Sequence, residues 1–249
     1  MELRNRATRG ALAVAIAGAL TASGCGGSGG TAVQGTARPG ASETTSAAAA
    51  TSAKTGAYDA NKLRTGLLAS YGTARPVAPA SAGTVGALQD RLGLSGQLKS
   101  IKTRKRACLT AGPNLTARKL RQVPASAVTL TDSKRGYTVG EVLFSTDVAS
   151  MRELIARRIP PVCRHLTADV SGTKVRVALR EIRMPHVART INGVMMTVLV
   201  GRQVQRSLTV MFATRKYGGT VSLSGRRISR ATLHRATVAA MRTARRALA

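Results

Sequence analysis

The chain has 249 residues, 39 of them Lys or Arg against 10 Asp or Glu, a formal net charge of +29, three cysteines, no tryptophan and only 2% aromatic residues. That length allows one folded domain with accessory segments. So few aromatics show none of the clustering that stacking platforms for single-strand nucleic acid need, and among so few acids no paired carboxylates for acid–base catalysis are evident.

The first segment reads as an address. Arg4, Arg6 and Arg9 precede an apolar run, Ala11–Leu20, and the small residues Thr21, Ala22, Ser23 and Gly24 lead to Cys25. This is the layout of a secretory signal peptide over residues 1–24. The apolar run is too short to cross a hydrocarbon layer of about 30 Å as a helix. Leu20-Thr-Ala-Ser-Gly-Cys25 resembles a bacterial lipobox, with Ala22 where leucine is commoner. That resemblance implies that Cys25 takes a diacylglycerol and a further acyl chain of the palmitate class. The product would be a lipoprotein held at the extracellular face of the cell membrane; the other reading is simple secretion with Cys25 left free. Burial of acyl chains supplies about 0.8 kcal/mol per CH₂, enough for several chains to anchor a protein firmly.

Residues 26 to 57 are almost entirely Gly, Ser, Thr and Ala. Such a stretch buries too little surface to offset its ordering entropy, so residues 25–57 are expected to be a lipidated N-terminus followed by a flexible linker. The folded domain is then residues 58–249.

Within the domain, Tyr58–Ser70 is predicted as a helix capped by Asp59, with Leu63, Leu67 and Leu68 on one face. The glycine cluster Gly83-Thr-Val-Gly86 is predicted as a loop. Ala127–Thr131 and Tyr137–Ser145 have the β-branched and aromatic content of strands. Thr146 and Asp147 can cap a helix from Val148 to about Ile159, in which Val148, Met151, Ile155 and Ile159 recur at three- and four-residue spacing. Pro160-Pro161 ends it, and Cys163 follows.

Thr173–Arg180 alternates with period two: Val175, Val177 and Leu179 on one side, Lys174, Arg176 and Arg180 on the other. Asn192-Gly193 and Gly201 are read as punctuation around Val194–Val200 and Val204–Thr214. The first of these is apolar on both faces and should be central. Gly218-Gly219 is read as a break before a short strand, Val221–Leu223. A last helix spans Ser229 to about Leu248, its stripe of Leu233, Ala236, Ala240, Ala244 and Leu248 lying opposite Arg235, Arg242 and Arg246. The fold class is α+β, an antiparallel sheet packed with helices.

With Cys25 lipidated, Cys108 and Cys163 remain as an even pair in an oxidising compartment. A disulfide is the expectation; two buried thiols or a redox pair are the alternatives. The spacing is not C-x-x-C, and only His165, His186 and His234 could accompany the cysteines at a metal.

The order of elements carries a resemblance. Leu67-Leu68, Cys108, a strand running into a helix that ends at a second cysteine (Gly140–Cys163), a strand, an apolar hairpin and a C-terminal helix (Arg230–Leu248) follow one another. This pattern resembles the PknH-like extracellular sensor domains of actinobacteria, which occur outside receptor kinases and as free lipoproteins. The resemblance implies a binder of envelope-derived ligands with no catalytic residues. Met184–Thr190 (MPHVART) stands where these domains carry an acidic Gly-Asp-Glu segment, so it brings no ligand residues.

No phosphate-binding loop, nucleophile elbow or zinc-protease motif is present. His165 and Asp169 lie close in sequence, but a lone histidine there is an ordinary surface residue, and Asn114-Leu-Thr116 is a chance sequon. No enzyme, cofactor or metal is expected. Without the signal, 36 basic residues face 9 acidic ones, and residues 182 to 249 hold thirteen basic groups and no acid. Arginine supplies 30 of the 39 basic residues, and charge of this size destabilises a compact fold unless a partner neutralises it.

The expected partners are the membrane, through the lipid anchor, and anionic envelope lipids, phosphate-bearing wall polymers or acidic glycans. No specific nucleic acid is expected, although extracellular DNA could bind through its phosphates. The polyanion-binding residues are expected to be Lys174, Arg176 and Arg180 on the strand and Arg235, Arg242 and Arg246 on the last helix. Two functions follow. One is a sensor-like module with a pocket between sheet and helices; the other is a structural or adhesive lipoprotein that binds polyanions without a pocket.

Overall fold

The computed structural model describes residues 56–91, 101–111, 115, 120–170, 172–185, 188, 190–225 and 228–249. The signal segment, Cys25, most of the linker, His186 and the polar residues of the sequon lie outside the described residues. The elements run α1 (Ala60–Thr65), β1 (Arg75–Pro76), β2 (Ser81–Thr84), α2 (Val85–Arg91), β3 (Ile101–Lys102), β4 (Pro124–Asp132), β5 (Tyr137–Phe144), α3 (Val148–Ala156), β6 (His165–Val170), β7 (Thr173–Ile182), β8 (Thr190–Val200), β9 (Gln203–Ala213), β10 (Gly218–Gly225) and α4 (Arg230–Ala247). The class is α+β, as expected.

One antiparallel sheet of ten strands holds the molecule together, in the order β1-β4-β5-β10-β9-β8-β7-β6-β3, with β2 beside β1 on the outer edge of β4. Strands β6 to β10 form a continuous meander, and the β4–β5 hairpin joins it by pairing β5 with β10. β8 lies inside the sheet between β7 and β9, which explains its apolar residues on both faces.

Alternation along the strands makes two faces. On one, Val128, Leu130, Val139, Leu143, Val210, Phe212, Val221 and Leu223 pack under α1 and α4, which add Leu63, Leu233, Ala236, Ala240, Met241 and Ala244. The opposite face is covered in two places. α2 and α3 close it over Ala125, Val142, Phe144 and Met211. Farther along, the Cys108–Cys163 disulfide and its turns close it over Leu166, Ala168, Val175, Val177, Met196 and Val198. The bond joins two short 3-10 turns, Arg106–Thr110 and Pro161–Cys163, with Cα atoms 5.2 Å apart.

Several elements differ from the sequence reading. The first helix is only Ala60–Thr65, capped by Asp59 as expected, with Leu67 and Leu68 buried in the chain that follows. Gly83 and Gly86 belong to β2 and α2 rather than to a loop. The third helix begins after the Asp147 cap but stops at Ala156 instead of Ile159. Beyond it the chain is held by side chains of the sheet: Asn192 donates to the carbonyls of Ile155 (3.0 Å) and Arg157 (3.2 Å), and Glu181 accepts from the Ile159 N–H (2.9 Å). The residue before Pro160 is in any case disfavoured in helical conformation.

Asn192-Gly193 is not a turn but part of β8, and Gly218-Gly219 lies within β10. The two glycines of β10 make room for aromatic rings. A Cβ on Gly218 would sit 2.5 Å from the Phe144 ring, and one on Gly219 would sit 2.4 Å from the Phe212 ring. β6, with Leu166, Ala168 and Val170 alternating inward, was not anticipated.

Candidate functional site

The face that carries α4 is covered only in part. α4 packs on β9 and β10, and toward β8, β7, β6 and β3 no described helix covers that face. The outward side chains there stand in cross-strand rows set by the register. Lys102, Asp169 and Lys174 make one row. Thr167, Arg176, Leu199 and Val204 make the next. His165, Ala178, Thr197 and Arg206 follow, and then Arg180 beside Met195. The first two rows, with His165, Ala178 and Thr197 and with Thr103, Arg104 and Lys105 beyond the β3 edge, line an open cavity of about 860 Å³, while Arg180, Met195 and Arg206 lie outside its lining.

Charge on this face is almost entirely positive, and the reason lies in where the acids are used. Asp59 and Asp147 cap α1 and α3, each accepting an N–H at 2.8 Å. Asp90, Glu153 and Glu181 pair with Arg121, Arg157 and Arg158 at 2.7, 3.1 and 3.0 Å. Asp132 accepts from Thr73 and from the Arg135 N–H, and these bonds hold its carboxyl below the usual range. Glu141 is buried in the core. Asp169, the one described acid on the bare face, spends Oδ1 on the Gly172 N–H at 2.8 Å in the β6–β7 turn. Each described acid therefore serves the fold locally. The side chains of Lys102, Arg104, Lys174, Arg176, Arg180 and Arg206 have no hydrogen-bond or ion-pair partner among the described residues. Lys105 differs, since its Nζ is bonded to the carbonyls of Val162 and His165.

The expected basic residues are thus only partly brought together. Lys174 and Arg176 line the cavity, and Arg180 stands on the same face just past its lining. Arg235, Arg242 and Arg246 are exposed on α4, on the same side of the sheet, but none of them lines the cavity. His165 and Asp169, close in the sequence and assigned no site there, both line it. The sequence reading missed Lys102, Arg104, Arg206 and the apolar pair Leu199 and Val204. Arg206 and Val204 fall on the outward positions of a strand that was recognised. β3, by contrast, is two residues long and leaves no periodicity to find. A smaller cavity of about 330 Å³ opens at the end of α4, beside Tyr58, Ala188, Lys216, Tyr217 and Leu248.

No family model matches the chain, and no curated protein matches it. Among solved structures it is weakly similar to an uncharacterized protein from Mycobacterium smegmatis, at 13% identity and a TM-score of 0.38 over 59% of this chain and 77% of that one. It is also weakly similar to the extracellular domain of PknH from Mycobacterium tuberculosis, at 9% identity and a TM-score of 0.35 over 50% of this chain and 63% of that one. Both likenesses are weak, and no sequence family is shared. Among the described residues, no helix is long and apolar enough to cross a membrane, and no group of three His, Cys, Asp or Glu side chains could hold a metal.

Proposed function

We propose that this chain is a non-enzymatic, exported lipoprotein, anchored through Cys25 at the outer face of the membrane, whose folded domain binds an anionic component of the cell envelope on the bare face of its sheet. The observation that carries this reading is the unpaired set Lys102, Lys174, Arg176, Arg180 and Arg206 on one uncovered sheet face, with Arg104 at its edge, against Asp169 as the one described acid there. The planar guanidinium fork of Arg176 can donate two hydrogen bonds to one phosphate or carboxylate. A cavity of about 860 Å³ lies within the range of small-ligand sites. The linker of residues 25–57 would hold this face away from the membrane that anchors it.

A second reading has its own support. The arginines of α4 extend positive charge beyond the cavity on the same side of the sheet, as an adhesive surface for wall polymer, anionic lipid or extracellular DNA would require.

Sedimentation of the chain from Gly26 onward with anionic and neutral liposomes, and with purified phosphate-bearing wall polymer, tests both. Binding should be selective for the anionic partners and should weaken steeply with salt, because the Debye length falls from about 10 Å at 0.1 M to about 3 Å at 1 M. Charge reversal at Arg176 should abolish binding and reversal at Arg242 should spare it; the adhesive reading expects similar losses from both. Equal binding to neutral and anionic surfaces overturns the two readings together.

A further inference from the structure

The bare face is not uniformly charged, and its pattern narrows the chemistry of the ligand. On β7 the outward residues are Lys174, Arg176, Ala178 and Arg180. On β8, one strand over, they are Met195, Thr197 and Leu199, without a charge. On β9 they are Val204 and Arg206 before the strand passes under α4 at Leu208. An uncharged channel thus runs along β8, with the basic row of β7 on one side and Arg206 on the other. Its open end, at Leu199 and Val204, lies in the same cross-strand row as Arg176. Its other end, Met195, packs against the core beneath α4.

Val204 is 55% exposed, one of three large apolar side chains in the described residues that are mostly open to solvent. Leu199 is half-buried. A hydrophilic polymer would leave this apolar strip hydrated, and a wholly apolar ligand would leave the cations unpaired. An amphiphile satisfies both parts. The aliphatic stems of Arg176 and Arg180 add apolar walls while their charged ends stay in water. At about 3.3 Å per residue, Met195 to Leu199 gives a channel roughly 13 Å long.

Resting on the function proposed above, we infer that the ligand is a single anionic phospholipid, its phosphate taken by Arg176 with Lys174 and Lys102 and one acyl chain laid along β8 over Leu199, Val204 and Thr197. The recognised unit is a phosphate ester joined to an alkyl chain. Headgroup charge sets the end of the groove that is entered, and chain length sets the affinity.

The test is calorimetric titration of the chain from Gly26 onward with monoacyl phosphatidylglycerols of increasing chain length, below their micelle-forming concentrations. Glycerol phosphate and inorganic polyphosphate complete the set. Affinity should rise about fourfold for each added methylene until the channel is filled, in line with burial of apolar surface. Glycerol phosphate alone should bind much more weakly. The double substitution Leu199→Asn with Val204→Ser, at half-buried and exposed positions that leave the core intact, should flatten the chain-length series while sparing polyphosphate binding. Polyphosphate binding with no chain-length dependence would overturn this inference and leave the anion-binding function standing. Failure to bind any of the probes would remove both. A chain-length dependence unchanged by the double substitution would place the lipid elsewhere and also overturn it.

Discussion

Glu141 on β5 accepts a hydrogen bond through Oε2 from the backbone N–H of Leu68, 2.8 Å away, inside the core between the sheet and the chain that follows α1. Its side chain is 1% exposed, and Oε1 has no partner among the described residues. The Tyr217 hydroxyl in the same core also lacks one, and burial raises that phenol further. Desolvation pushes the Glu141 carboxyl up to about 8, against a smaller lowering by the Leu68 N–H. The folded state therefore keeps a proton that the unfolded chain releases near its ordinary value of 4.5. The stability contributed by the neutral acid is complete below that value and is lost as pH rises toward 8, by on the order of 5 kcal/mol. Asp132, whose carboxyl is held low, acts in the opposite sense and only in more acidic solution. Glu141→Gln keeps an acceptor for the Leu68 N–H and removes the titration. Urea unfolding across this range should show falling stability for the natural chain and a flat profile for the variant.

The disulfide closes a segment of 55 residues, for which the chain-entropy account gives about 4 kcal/mol. Its turns cover the sheet opposite the bare face, where Val175 and Val177 alternate with Lys174 and Arg176 along one strand. Cys108→Ser with Cys163→Ser should therefore lower the urea midpoint. It should also weaken anion binding, since the backbone that spaces the cations loses its support. Unchanged binding in a variant that has lost several kcal/mol would show that β7 is held without this layer.

Sequence periodicity made β7, α4 and the caps Asp59 and Asp147 legible, because each is a local pattern of burial or hydrogen bonding. It misassigned Asn192-Gly193 and Gly218-Gly219, whose residue types mark turns more often than strand interiors. Only the packed structure shows that Asn192 ties down the end of α3 and that the glycines admit Phe144 and Phe212. The groove was not legible either. Which half of a sheet face stays bare depends on where α4 docks, and that is a property of the assembled core.

Close ring contact at β10 gives a stability prediction. A Cβ on Gly219 would stand 2.4 Å from the Phe212 ring and 3.0 Å from a Leu143 methyl, both fully buried. Gly219→Ala must shift packed side chains and should cost about 1–3 kcal/mol, the usual range for overpacking a core. Gly136→Ala, with open space around it but φ of +67°, should cost about 1 kcal/mol, from backbone strain alone. Thermal unfolding of the two variants separates these effects.

Membrane attachment is expected to depend on one sulfur. Cys25→Ser should release the protein from the membrane fraction or leave an uncleaved precursor, read by fractionation and by intact mass. Processing and retention unchanged from the natural chain would exclude lipidation at Cys25.

The last expectation concerns the one described acid on the bare face of the sheet. Asp169 stands between Lys102 and Lys174 in a single cross-strand row, so its charge opposes an incoming anion where the cations are densest. Its structural duty is narrow: Oδ1 accepts from the Gly172 N–H, and the amide oxygen of asparagine can do the same. Asp169→Asn should therefore keep the β6–β7 turn while raising the net charge of the face. Unit charges about 7 Å apart in a water-like medium interact by roughly 0.6 kcal/mol, so affinity for an anionic partner should rise on the order of threefold at low salt. That gain should fade as salt is added. A charge-neutralising substitution at Glu153, on the exposed side of α3, serves as the control and should change binding little. If both substitutions raise affinity equally, the protein responds to net charge alone, and the bare face of the sheet is not where the anion sits.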